Sequence, residues 1–221
     1  MLINLGIVIF PLLFSFEKNI RFYRRIPALL ASLGIVSTIY IIWDIIATRR
    51  GDWGFSELYT GSLRIGGLPL EEILFFITVP YAIVFTYETI RFYIKDKPVI
   101  LPGWFLFGCA VVLFTLSGIY HTQYYTTTVL AFSGSFFLLM RFVKSELFSS
   151  RNFYITIAIS YIPFFMVNYL LTAPPIVWYS PDAIWGPRVT TIPVEDFVYS
   201  FSMISWWLFC YHHFLKKFKI V

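Results

Sequence analysis

Apolar residues fall in seven long runs separated by polar segments, at positions 1–16, 26–47, 69–93, 99–120, 125–143, 152–172 and 193–214. A helix needs about 17–25 such residues to cross a bilayer. Most of the runs reach that length, the first and fifth being short. The pattern predicts an all-α, polytopic membrane protein with seven transmembrane helices. Pro27 and Pro69 stand where the second and third helices should open, in first-turn positions that tolerate a missing N–H. No basic residue precedes the first run and no small-residue cleavage site follows it, so it is expected to be a retained helix rather than a signal peptide. Two connections are long: 48–68, with Trp53, Phe55 and Tyr59, and 173–192, with Trp178, Tyr179 and Trp185. Irregular loops beyond about 12–15 residues are often lids or binding loops. The alternative is that these aromatic residues rest at the lipid headgroups.

The polar punctuation repeats. Arg64-Ile-Gly-Gly-Leu-Pro-Leu-Glu-Glu72 returns as Arg188-Val-Thr-Thr-Ile-Pro-Val-Glu-Asp196, 124 residues later and without a gap. At the same offset Asp44 falls on Asn168, Thr48 on Thr172, Thr78 on Ser202, Tyr87 on Tyr211 and Glu88 on His212. Runs five, six and seven therefore match runs one, two and three, and the fourth has no counterpart. A three-helix unit ends on the side opposite its start, so the unmatched fourth helix restores the original side. Two parallel three-helix repeats, 1–93 and 125–221, are expected, joined by a linker helix within 94–124. An axis along the membrane normal would relate them. Both acid pairs then sit at one depth and can face each other across a common cavity.

Composition agrees with a membrane protein: 58% hydrophobic and 13% charged, against about 25% charged in a soluble domain. The 17 lysines and arginines are unevenly placed. With Arg91 and Arg141 counted at their span ends, thirteen lie between helices 1–2, 3–4 and 5–6 and in the tail, and four on the opposite side. That bias puts the N-terminus outside and the C-terminus in the cytoplasm, in a multi-pass cell (inner) membrane protein. The basic residues read as topology determinants, so nucleic-acid binding is not indicated. Cys109 and Cys210 both fall inside predicted spans and read as small buried hydrophobes.

Candidate chemistry collects at the outer face. Asp44 near the end of helix 2, and Glu71 and Glu72 in the first turn of helix 3, lie at similar depth; Asn168, Glu195 and Asp196 repeat the layout. Ionisable groups inside spans usually face a cavity or the bundle interior. The alternative is that the pairs merely complement the helix dipole at a wet interface; their recurrence in register weighs against it. A helix N-terminus favours a carboxylate by about 0.3–1 kcal/mol, and Arg64 and Arg188 push the same way. Burial opposes ionisation by up to about 3–5 pKa units, so a dry site would hold a neutral acid and a wet one would not. Within each pair the acids point about 100° apart. Glu71 shares a face with Phe75, Thr78 and Phe85, and Glu195 with Tyr199, Ser202, Trp206 and Phe209, so Glu71 and Glu195 are expected inward, with Glu72 and Asp196 as partners. Aromatic residues make up 21% of the chain. A subset lining such a cavity would suit a carbocation, at about 0.5–2 kcal/mol per ring.

Several classes drop out. No G-x-G-x-x-G follows a strand, no lysine sits in mid-helix 7 for a retinal Schiff base, and no Asp-x-x-x-Asp pair supports metal–diphosphate chemistry. His121, His212 and His213 lack metal-ligand spacing with the acids, so no metal is expected.

Pro69-Leu-Glu-Glu-Ile-Leu-Phe-Phe76 and Thr190-Thr-Ile-Pro-Val-Glu-Asp-Phe-Val-Tyr199, with Trp43-Asp44 and Asn168-Tyr-Leu-Leu-Thr172 upstream, resemble the membrane lycopene cyclases. These occur as two small subunits or fused in tandem, as they would be here. The resemblance covers nearly the whole chain, and the tandem Pro-x-Glu-Glu/Asp pair is its most specific element. It implies cyclisation of lycopene ends to β-ionone rings, giving β-carotene by way of γ-carotene, without net redox change and without a cofactor. It implies a long apolar carotenoid as substrate, the lipid bilayer as surroundings and other carotenoid-pathway enzymes as partners. Glu71 or Glu195 would donate a proton, another acid of the set would remove one, and Asp44 and Asn168 would orient the pair. Phe75, Thr78, Tyr199, Ser202, Arg64 and Arg188 complete the expected site. Two other readings remain at this point. One is a proton-coupled small-solute transporter of three-plus-one-plus-three topology; the other is a related enzyme such as a cyclase for C50 carotenoids or a hydratase.

Overall fold

The computed structural model describes residues 1–143 and 145–220; Lys144, one of the basic residues counted between the fifth and sixth spans, and Val221 lie outside the described residues. Among the described residues there are seven α-helices: α1 (Leu2–Phe14), α2 (Ile26–Arg50), α3 (Leu70–Tyr93), α4 (Gly103–Ile119), α5 (Tyr124–Val143), α6 (Arg151–Thr172) and α7 (Val194–Lys217). Each overlaps the run that predicts it. By length and composition α2, α3, α5 and α6 can cross a membrane, and α1 and α4 are shorter apolar helices. Helix α7 buries Glu195, Asp196, Ser200, Ser202 and Ser205 among its inward residues and packs against α2, α3, α5 and α6. A helix enclosed by other helices need not be apolar throughout, since polar side chains such as Glu195, Asp196 and Ser202 find partners in the protein.

The two long loops are not irregular throughout. They hold six short strands: β1 (Trp53–Phe55), β2 (Arg64–Ile65), β3 (Leu68–Pro69), β4 (Val177–Tyr179), β5 (Arg188–Val189) and β6 (Ile192–Pro193). Strands β2 and β3 form a hairpin with Arg64 opposite Pro69, and β5 and β6 form its equivalent with Arg188 opposite Pro193. Gly66 and Gly67 turn the first hairpin with φ of 66° and 104°, a conformation that asks for glycine. The second manages with Thr190 at φ 59°. The prolines expected in the first helical turn instead cap it: Pro69 and Pro193 have extended ψ of 147° and 143°. They end the hairpins, and the helices start one residue later.

Strands β1 and β4 are the same stretch of the two repeats, and they pair with each other. Trp53 faces Tyr179, Gly54 faces Trp178 and Phe55 faces Val177. Two further bonds extend the ribbon, Ser56 N–H to the Ile176 carbonyl at 2.9 Å and Ser180 N–H to the Asp52 carbonyl at 2.8 Å. At the 124-residue offset these two bonds are images of one another, and Gly54 is the image of Trp178 across from it. An antiparallel ladder whose central residue opposes its own equivalent, with the pairs on either side exchanged, has a two-fold axis through that centre. Helix packing has the same symmetry: α1 lies on α3 as α5 lies on α7, and α2 on α7 as α6 on α3. Helix α4 packs on α5.

The ribbon closes one end of the bundle. At the other end Glu88 of α3 accepts hydrogen bonds from Arg91 at 2.7 Å and from the Tyr211 hydroxyl at 3.0 Å, and lies 3.2 Å from Arg25. Between the two ends Phe22, Leu29, Val84, Phe136, Phe153 and Leu208 form the buried centre.

Candidate active site

The first turns of α3 and α7 each carry two acids, and it is the second of each pair that meets across the two-fold axis. Glu72 and Asp196 line one small cavity of about 70 Å³ together with Asp44 from the C-terminal part of α2. Asn168, the image of Asp44, lines it too. The remaining wall is mostly aromatic: Trp43, Phe75, Tyr125 and Tyr199 from helices, with Trp53, Phe55 and Tyr179 from the β1–β4 ribbon. The ribbon thus covers this cavity, one of the two roles open to the long loops, while Tyr59, Trp178 and Trp185 remain exposed.

The three acids are held differently. Asp196, buried, accepts hydrogen bonds from the Tyr125 hydroxyl at 2.5 Å and the Tyr179 hydroxyl at 3.0 Å. Asp44, also buried, accepts one from Trp53 Nε1 at 2.8 Å and a longer one from Thr48 at 3.3 Å. The Glu72 carboxyl has no hydrogen-bond partner among the described residues. Among the described residues no lysine or arginine lines the cavity, so whatever charge the acids hold is not neutralised by a lining cation of that set. Arg188 sits behind the wall, 5.8 Å from the centre of the Tyr179 ring. Burial first, and Asp196 beside it second, push the Tyr179 phenol well above its ordinary range. It therefore stays protonated and remains a donor.

The aromatic wall is continuous. The Trp43 ring lies 5.3 Å from Trp53, 6.0 Å from Tyr125 and 5.6 Å from Tyr199. Tyr125 in turn stacks on Tyr179 at 5.6 Å. Faces and edges of electron-rich rings thus surround the carboxyls.

Other expected site residues have other tasks, which corrects the inward assignment of the first acids. Glu71 turns toward the loop, where its carboxylate takes the Gly61 N–H at 3.2 Å. Glu195 is buried but points at α5 and the second loop, accepting from the Thr126 hydroxyl at 2.6 Å and the Trp185 N–H at 2.5 Å. Thr78 donates to Asn4 of α1 at 2.7 Å, and Ser202 bonds the Tyr40 hydroxyl at 2.9 Å. Neither hydroxyl lines the cavity. Arg64 and Arg188 close their hairpins by bonding the carbonyls of Gly67 at 3.4 Å and Thr191 at 2.7 Å. Asp44, Asn168, Phe75 and Tyr199 do stand in the cavity wall.

Tyr125 is the site residue that the sequence did not announce. It opens α5 at a position equivalent to Met1, so the repeat offers no matching polar group. Asn4 was also missed; it is buried in α1 and donates to the Glu71 carbonyl at 2.8 Å, tying that helix to the start of α3. Its signal was present, as an amide inside an apolar run that should face the protein interior.

A family model described as lycopene cyclase matches residues 1–90 and 122–214. The two matched segments are nearly images at the 124-residue offset, and the unmatched stretch between them contains α4. No curated protein and no solved structure matches the chain.

Proposed function

The chain belongs to the lycopene cyclase family, and from that premise we propose that it is a membrane-embedded β-cyclase that closes the linear ends of lycopene by cofactor-free acid catalysis. Protonation at C2 of the terminal double bond leaves a cation at C1. The C5=C6 pair attacks it, forming the C1–C6 bond and moving the cation to C5. Loss of the C6 proton restores the C5=C6 bond and completes a β-ionone ring. One proton enters and one leaves, so the product is an isomer of the substrate, first γ-carotene and then β-carotene.

The juxtaposition of Glu72, Asp196 and Asp44 in one lidded, aromatic cavity supports this reading. Three carboxyls without a lining cation keep at least one proton among them. Glu72, whose carboxyl makes no hydrogen bond, is the proposed donor. Asp196, with both oxygens already acting as acceptors for two phenols, is arranged as a carboxylate and is the proposed base. Asp44 completes the proton relay beside Glu72. Rings of Trp43, Tyr125 and Tyr199 each offer the passing cation about 0.5–2 kcal/mol, and the ribbon keeps out water that would trap it as an alcohol. The same proposal includes seven crossings as two parallel three-helix units, with α4 as linker and the N-terminus and ribbon on the non-cytoplasmic side. The thirteen-to-four distribution of basic residues supports that orientation.

Expression of the chain in a bacterium that accumulates lycopene, with pigments separated by chromatography, tests the assignment. Cyclic carotenoid is expected from the natural sequence. Glu72→Gln and Asp196→Asn should each lower it by about 100-fold or more, whereas Glu71→Gln should retain most of it. Undiminished product from both Glu72→Gln and Asp196→Asn would remove these acids from the chemistry.

A further inference from the structure

Beside the acid cavity, across a shared wall, lies a larger space. An apolar groove of about 480 Å³ runs along the bundle between α1 and α6, floored by α3 and α7. That volume lies within the usual range of ligand sites, about 300–1,000 Å³. Ile7, Pro11, Val79, Ala82, Met166 and Ile204 are among its walls. Phe75, Asn168 and Tyr199 belong to both groove and cavity, so a long apolar chain lying in the groove has its end at the carboxyls.

The repeat calls for a second groove of this kind, between α5 and α2, but that space is filled. Of the groove's lining residues, Ala82 becomes Trp206, Ile83 becomes Trp207 and Val167 becomes Trp43, with Phe132 of α5 packed against them. Trp43 stacks on Phe132 at 5.9 Å, and Tyr40 meets Phe132 at 5.3 Å and Tyr199 at 5.6 Å. Trp207 is fully buried, and its Nε1 donates to Ser37 at 3.0 Å. The acids are as unequal as the grooves: Asn168 replaces Asp44, and the two phenols that hold Asp196 are replaced around Glu72 by Phe55 and Met1.

We infer that the two halves of this chain share one productive site, entered through the α1–α6 groove alone, so that one end of the substrate is cyclised per binding event. A bicyclic product then requires the monocyclic hydrocarbon to leave the groove and return with its other end first. This rests on the cyclase reading above. Two grooves meeting at the acids would instead let each half take one end of the same molecule.

Membranes holding the intact chain are supplied with deuterated lycopene and an excess of unlabelled monocyclic γ-carotene. The expected result is that the labelled lycopene consumed accumulates as labelled monocyclic product and little of it reaches bicyclic product, because the intermediate leaves and mixes with the unlabelled pool; a product that is monocyclic only supports the inference equally. Labelled bicyclic product, per labelled lycopene consumed, that is undiminished by the unlabelled pool would overturn it. Absence of any cyclic product from the natural chain would instead sink the cyclase reading. In parallel, Ala82→Trp, which copies the blocked half, should cut turnover by about 100-fold by displacing the substrate end. Trp206→Leu should leave turnover per folded molecule unchanged. Full activity in Ala82→Trp would overturn the inference. The label experiment uses the natural sequence and so decides the matter even where a variant folds poorly.

Discussion

Asp196 takes hydrogen bonds from two phenols, and Tyr179 is the one that arrives from the lid. Tyr179→Phe keeps the ring in the wall but removes a donor worth about 1.5–3 kcal/mol to a charged acceptor, so turnover should fall by about 10–150-fold. Because the folded protein keeps this phenol protonated where an unfolded chain would release the proton, the unfolded state binds fewer protons above about pH 10. Stability is therefore full below that pH and is lost as pH rises past it. Thermal melts at alkaline pH should show a shallower loss in Tyr179→Phe than in the natural sequence; an identical slope would mean that the phenol is not buried beside Asp196. The depth and type of the acids could be read from the sequence, but which acid of each pair faces inward could not. Phe75 lies one turn beyond both Glu71 and Glu72 and cannot decide between them. Thr78 favoured Glu71, yet its hydroxyl serves Asn4 of α1. Ser202 misled in the same way for Glu195, since it serves Tyr40. The inward stripe is Glu72–Phe75–Val79–Ile83, matched by Asp196–Tyr199–Met203. A polar side chain on a buried helix marks a contact, and only the neighbouring helix says which kind.

The ribbon is the element on which the site depends and the one least visible in the chain. Helices announce themselves through runs of apolar residues, and all seven were found within a few positions. Strands of three residues carry no periodicity, and β1 and β4 are paired across 124 positions of sequence; only their aromatic content hinted at a lid. Gly54 shows how tightly the pairing is built. A Cβ there would come within 2.4 Å of the Trp178 ring, so any side chain at Gly54 must push the ring or the strand away. Gly54→Ala should open the lid over Asp44, whose bond to Trp53 comes from the adjacent residue. Such a loosened site admits water, and its expected signature is a hydroxylated carotenoid, or lost cyclic product, in a protein whose helical content is unchanged. Wild-type pigment from Gly54→Ala would show that the ribbon does not seal the cavity.

At the scale of the molecule, charged groups lie at the two opposite ends of the bundle, and they should respond oppositely to mutation. Glu88 lies sixteen positions after Glu72 on the same helix, about 24 Å away at 1.5 Å per residue. Its carboxylate is 1% exposed and is surrounded by Arg25, Arg91 and the Tyr211 hydroxyl. These join the segment before α2 to α3 and α7. The repeat does not conserve this group, since Glu88 falls on His212, so the cluster has no image in the other half. Breaking a fully buried pair by removing one partner costs about 3–5 kcal/mol. Arg25 and Arg91 are 21% and 41% exposed, so water recovers part of their solvation and the lower end of that range applies. Glu88→Gln should therefore lower stability in detergent by about 3 kcal/mol, with turnover per folded molecule unchanged. Glu72→Gln should do the reverse, losing turnover while holding or gaining stability, because an acid without a hydrogen-bond partner contributes little to the fold. A Glu88→Gln protein that stays stable but inactive would move the proton chemistry to the wrong end of the bundle and undo the assignment of the lidded cavity.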